Sequence, residues 1–119
     1  MRALLARSLR QTGYCVIECA DGLDLMEHLA SLLKEDKHQH IDLVVSDIRM
    51  PWVTGLEVLR CTDDYLGYPP FVLITAFADD ETRAQARALG AAVMLSKPFE
   101  MEYFVEVIRT IVQPESPWI

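Results

Sequence analysis

An excess of basic charge is missing. The 119 residues carry 11 Lys and Arg against 18 Asp and Glu, a net charge of −7. That balance offers no broadly basic face for nucleic acid. No apolar run approaches the about 20 residues that a membrane-spanning helix needs, so neither partner is expected. A secretory-signal pattern is also lacking: Arg2, Arg7 and Arg10 are spread through a periodic N-terminal segment. Cysteine is scarce. Cys15, Cys19 and Cys61 are odd in number and form no C-x-x-C pair, which points to reduced thiols in a cytoplasm rather than a disulfide framework. Cys15 is expected to pack as a small apolar residue. No internal repeat, low-complexity tract or domain boundary interrupts the chain. What is present is 51% hydrophobic content, in a length that suits one compact domain with one core.

The apolar residues alternate between two patterns. Residues 1–13 place Leu4, Leu5, Leu9 and Thr12 at helical spacing, with Gly13 as the stop. Residues 14–18 predict a short strand and 20–22 a turn. Residues 23–35 put Leu25, Met26, Leu29, Leu32 and Leu33 on one helical face. Residues 42–47 (DLVVSD) and 70–75 (PFVLIT) run apolar without alternation, as strands covered on both faces do. A helix is expected from about Gly55, with Leu56, Val58 and Leu59. Another is expected over 78–90, acidic at its start and closed by glycine. Residues 92–96 read as a last strand. Residues 99–112 read as a last helix with Phe104, Val107, Ile108 and Ile111 as its stripe, and 113–119 as a tail. Strands alternating with helices imply βαβ units, a doubly wound parallel sheet and an α/β fold.

In such a sheet, ligands bind beyond the carboxyl ends of the strands. Three strands here end in polar residues: Asp47, Thr75 and the pair Ser96-Lys97. A carboxylate, a hydroxyl and an ammonium should therefore meet at one edge. A carboxylate can act as a nucleophile and form an acyl phosphate. A hydroxyl can donate to a phosphoryl oxygen, and an ammonium can neutralise its charge. The plain alternatives are a turn cap for Asp47, a strand-end hydroxyl bonded to backbone for Thr75, and a solvated side chain for Lys97.

The stretches VVSDIRMPWVTGLEVL, VLITAF and LSKPFE, in that order and at strand ends, resemble the receiver domain of two-component response regulators. The resemblance covers essentially the whole chain, 1–119, as a single domain. It implies a flavodoxin-like (CheY-like) three-layer α/β/α fold. It implies Asp47 as phosphoacceptor, Thr75 as switch hydroxyl, Lys97 as the phosphate-binding lysine and a cis Lys97-Pro98 peptide. It further implies Mg²⁺ as cofactor, a histidine kinase or phosphotransfer protein as partner, and a homodimer through the 79–112 region. The module would be a signalling switch in the cytoplasm, not an enzyme.

Two departures qualify what the resemblance implies. Receivers begin with a strand ending in two adjacent acidic residues, which hold Mg²⁺ together with the phosphoacceptor. This sequence starts in what resembles the family's first helix, so that strand is expected to be missing. A truncated start, a closed-up four-stranded sheet, or a dimer that repairs the gap would each accommodate this. Asp47 and the backbone carbonyl of Arg49 are then the remaining metal ligands. Neither Asp21, which follows another strand, nor Asp79 and Asp80, at a helix start, replaces the pair. The second departure is Met94, which stands where receivers usually carry an aromatic switch residue. Both departures suit a rival reading: a phosphorylation-independent pseudo-receiver that acts as a protein-interaction module. A haloacid-dehalogenase-like phosphatase would share the strand-end aspartate, but Arg49 stands where its second aspartate belongs.

Other polar and aromatic residues have plain explanations. His38 and His40 form an H-x-H pair in a polar loop without a third ligand. His28 is expected at the surface or partly packed. Asp63-Asp64 reads as a solvated helix end and Trp52 as a loop residue near the site. Met101, Tyr103 and Val105 could form a partner surface, though ordinary packing explains them equally.

Overall fold

The computed structural model describes residues 2–32, 41–48, 54–62, 69–76 and 79–114, the side chains of residues 31, 32, 61 and 62 excepted. In chain order the elements are α1 (Arg2–Thr12), α2 (Gly22–Leu32), β1 (Val44–Asp47), α3 (Gly55–Thr62), β2 (Phe71–Thr75), α4 (Asp80–Ala88), β3 (Val93–Ser96) and α5 (Met101–Ile111). They fall into two compact units: Met1–Glu18 with Phe99–Ile119, and Cys19–Pro98.

The Cys19–Pro98 unit is built on a parallel sheet in the order β1-β2-β3. Val44 pairs with Phe71 and Asp47 with Ile74, while Thr75 pairs with Ser96. Parallel strands need crossover connections. The chain supplies α3 between β1 and β2, and α4 between β2 and β3. All five residues of β2 are buried, as its unbroken apolar run predicts for a central strand. Phe71 and Leu73 join Leu29, Val44, Val58 and Ala86 in the core of this unit, with Met94 packed against it. Val72, Ile74 and Leu95, which alternate with them along the strands, are buried as well.

Helix starts follow local chemistry. Asp21 Oδ1 accepts from Asp24 N at 2.9 Å, and Asp24 Oδ2 accepts from Ala20 N at 3.0 Å. Thr54 and Glu57 bracket the start of α3 in the same way. Thr54 Oγ1 accepts from Glu57 N at 3.1 Å and itself donates to Glu57 Oε1 at 3.2 Å, a capping box readable as T-x-x-E. Asp79 caps α4. Gly90, with φ 89°, follows the end of α4, where the left-handed region favours glycine.

In the other unit, α1 and α5 pack on each other. Leu5, Ala6 and Leu9 are buried on α1, and Phe104 and Ile108 on α5. The Tyr14 hydroxyl donates to the Val112 carbonyl. Burial pushes the Tyr14 phenol up from its ordinary value, and the Arg109 charge partly offsets that. Gly13, with φ 114°, ends α1 where the sequence places the stop.

Two expectations are corrected. Cys15, expected to pack as a small apolar residue, is exposed, since the 14–18 segment that carries it lies in no sheet among the described residues. Residues 14–18 are no strand and join no ladder among the described residues. Their composition suits a pleated surface, but a strand exists only with a hydrogen-bonded neighbour. Here Arg10 holds the segment instead, donating to the Val16 carbonyl at 3.0 Å and to Glu18 Oε2 at 3.2 Å.

Candidate functional site

The carboxyl ends of the three strands form one edge because their register is nearly level. The ladder extends one residue past β1 and past β3: Ile48 N donates to the Ile74 carbonyl and Lys97 N to the Thr75 carbonyl, both at 2.8 Å. This fixes the backbones on either side of Asp47, Thr75 and Lys97. Lys97, which follows β3, reaches past the end of β2 to β1, where its Nζ lies 2.7 Å from Asp47 Oδ2. Two strand spacings amount to roughly 9–10 Å, so the ammonium has to extend over the central strand.

The three groups differ in access. The Asp47 side chain keeps 38% of its surface exposed and that of Lys97 26%, whereas Thr75 is 2% exposed. No buried side-chain oxygen or nitrogen among the described residues is left without a hydrogen bond, so the Thr75 hydroxyl is satisfied within the protein. A reagent arriving at the edge therefore meets the carboxylate and its ammonium first. The Lys97–Pro98 peptide is cis.

Two further residues shape the edge. Ser46 is buried, and its hydroxyl donates to the Asp47 carbonyl at 3.0 Å. Gly55, at the start of α3, donates its N–H to the Ile48 carbonyl at 3.0 Å. A Cβ at position 55 would lie 2.7 Å from the Asp47 carbonyl oxygen and 3.0 Å from Ser46 Oγ. Only glycine lets the helix start lie this close to the strand end. The T-x-x-E capping box was available as a signal for this helix start; the close approach itself was not. Farther along the edge, Arg83 of α4 donates to Ser96 Oγ at 2.9 Å. Met94, on β3, is half-buried and packs against the core.

Arg49, Trp52, His38, His40, Asp63 and Asp64 lie outside the described residues. The described side chains do not by themselves fit a Mg²⁺ ion. Asp47 offers one carboxylate, of which one oxygen already pairs with Lys97. Among the described residues it belongs to no group of three potential metal ligands, and Mg²⁺ demands a near-octahedral set of oxygens.

The chain matches a known family over most of its length. The family model for the response regulator receiver domain matches residues 1–109. The polar-differentiation response regulator DivK of Brucella ovis is 32% identical over 104 residues, which cover 86% of this chain and 79% of that protein. The chemotaxis protein CheY4 of Vibrio cholerae superposes with a TM-score of 0.78 at 24% identity, over 93% of this chain and 88% of that one. A response regulator receiver protein from Burkholderia phymatum does so with a TM-score of 0.74 at 27% identity, over 98% and 89%. These likenesses establish the α/β flavodoxin-like fold, and the family model spans nearly all of the sequence: the chain belongs to the response regulator receiver domain family.

Proposed function

We propose that residues 1–119 act as one receiver domain in which Asp47 accepts a phosphoryl group from a phosphohistidine of a kinase or phosphotransfer protein. The observation that carries this reading is the partly exposed Asp47 carboxylate held 2.7 Å from Lys97 Nζ at the carboxyl edge of a parallel sheet. An Asp47 oxygen attacks phosphorus, the P–N bond breaks, and its electron pair stays on the imidazole nitrogen. The product is an acyl phosphate. Lys97 pairs with the added charge. Thr75 turns its hydroxyl to a phosphoryl oxygen, and that exchange of partners biases an equilibrium between two arrangements of the domain. The phosphoryl group is cargo and the protein works as a cytoplasmic switch.

A second reading has one observation behind it. Asp47 stands outside any ligand cluster among the described residues, which suits a pseudo-receiver that binds partners without phosphorylation. Intact mass after incubation with acetyl phosphate and Mg²⁺, beside Asp47→Asn, separates the two. Gain of one phosphoryl group by the parent alone supports the switch. A folded parent that gains nothing, from acetyl phosphate or from a phosphorylated histidine donor, supports the interaction module.

A further inference from the structure

Away from the strand edge, the turn that leads into α2 gathers three groups of different chemistry. Cys19 Sγ lies 3.6 Å from His28 Nδ1. The same nitrogen lies 3.4 Å from Asp24 Oδ1. All three ligand atoms sit within 4.8 Å of one another, and among the described residues this is the one such group. Asp24 and His28 are four apart on α2, so they share a helical face. Cys19 comes from the segment just before the helix. Asp24 is already oriented, since its Oδ2 accepts from Ala20 N and this turns Oδ1 toward the imidazole.

We propose that Cys19, Asp24 and His28 form a zinc site with a fourth position open to water. The spacing is that of a tetrahedral ion. Bonds of about 2.3 Å to sulfur and about 2.0–2.1 Å to nitrogen hold S and N about 3.6 Å apart, and a carboxylate oxygen at about 2.1 Å lies about 3.4 Å from that nitrogen. Both distances are already present without the ion. Thiolate and imidazole select a zinc-class cation over Mg²⁺ or Ca²⁺. On binding, the Cys19 thiol releases its proton to solvent. The Nδ1–H that donates to the Asp24 carbonyl at 2.9 Å is lost to solvent, Nε2 takes up a proton in its place, and the freed Nδ1 lone pair binds the ion in exchange for that hydrogen bond. The side chains of Asp24 and His28 are about a third exposed, at 35% and 32%, which leaves a path for the ion and room for water. Binding would tie the turn at Cys19 to the first two turns of α2.

The test uses the reduced full chain titrated with Co²⁺, which reports thiolate ligation by a sulfur-to-metal charge-transfer band and tetrahedral geometry by its visible bands. The expected result is one Co²⁺ per chain, displaced by Zn²⁺, unchanged in Cys15→Ser, and weakened about tenfold or more in Cys19→Ser and in His28→Gln. A readout on the unaltered chain avoids any folding defect: Zn²⁺ should slow alkylation of Cys19 about tenfold while exposed Cys15 reacts at its original rate. Absence of the charge-transfer band, its survival in Cys19→Ser, or equal alkylation of Cys19 with and without Zn²⁺ would each overturn the site.

Discussion

Lys97 Nζ and Asp47 Oδ2 lie 2.7 Å apart although the residues are 50 positions apart in the chain. The pair joins the ends of the two outer strands of the β1-β2-β3 sheet. More than a third of the Asp47 side chain is in water, so screening limits what the attraction contributes to folding, to about 1 kcal/mol or less. The receiver reading proposed above gives the pair a role in phosphoryl uptake instead. Asp47→Asn and Lys97→Met should each shift the unfolding free energy by no more than about 1 kcal/mol. Phosphoryl uptake should vanish in the first variant and slow about a hundredfold in the second, the scale expected when a group that stabilises developing charge is removed. Urea midpoints and a time course of intact mass check both halves. A loss of several kcal/mol in either variant would make the pair structural.

Gly55 gives a sharper test of how the edge is held. The Cβ of Gly55→Ala would come within 2.7 Å of the Asp47 carbonyl oxygen, which is main chain and cannot swing away. Overpacking of this kind costs about 1–3 kcal/mol. The shift falls on the backbone that carries Asp47, so phosphoryl uptake should also slow. Gly90→Ala serves as the contrast. It strains a positive φ of 89° at the far end of α4, so it should lower the urea midpoint and leave the uptake rate of the folded fraction unchanged.

What the sequence made legible follows from how local each signal is. The strands 42–47, 70–75 and 92–96 and the helices after them could be read because each carries its own period, and because strand ends such as Asp47, Thr75 and Ser96-Lys97 interrupt apolar runs. Residues 14–18 were misread because β-propensity states what a segment could join and not whether a neighbour is present. Helical spacing placed Leu4 and Leu5 on α1 without deciding which turns inward; Leu5 is buried and Leu4 exposed. The close approach of Gly55 to Asp47 and the grouping of Cys19, Asp24 and His28 depend on tertiary placement, and no spacing rule in the chain announces either.

Thr75 is buried to 2% exposure with its hydroxyl satisfied inside the protein. Replacing it by valine keeps the shape and removes the hydroxyl. Thr75→Val should cost about 1 kcal/mol, the usual net worth of one hydrogen bond, and Thr75→Ser should restore most of it. If Thr75 relays the signal, the valine variant still gains a phosphoryl group but loses the change in amide hydrogen exchange that phosphorylation produces in the parent. An unchanged exchange response would remove Thr75 from the switch.

Asp79 offers a pH test independent of phosphorylation. Its carboxylate caps α4, accepting from Thr82 N at 2.7 Å. Hydrogen bonds from the Thr82 side chain, and then from its backbone N–H, hold the carboxyl below its ordinary value. The positive end of the helix dipole acts in the same direction. A carboxyl depressed in the folded state contributes its stability fully above the ordinary value of about 3.9. That contribution is lost as pH falls through the lower folded value, because the unfolded chain then takes up its proton first. The stability difference between the parent and Asp79→Ala should therefore be constant from neutral pH down to about pH 5 and shrink between there and about pH 2. Urea unfolding of both proteins across that range measures it. A difference that stayed flat to the acid end would mean that the cap does not act through the ionised carboxylate.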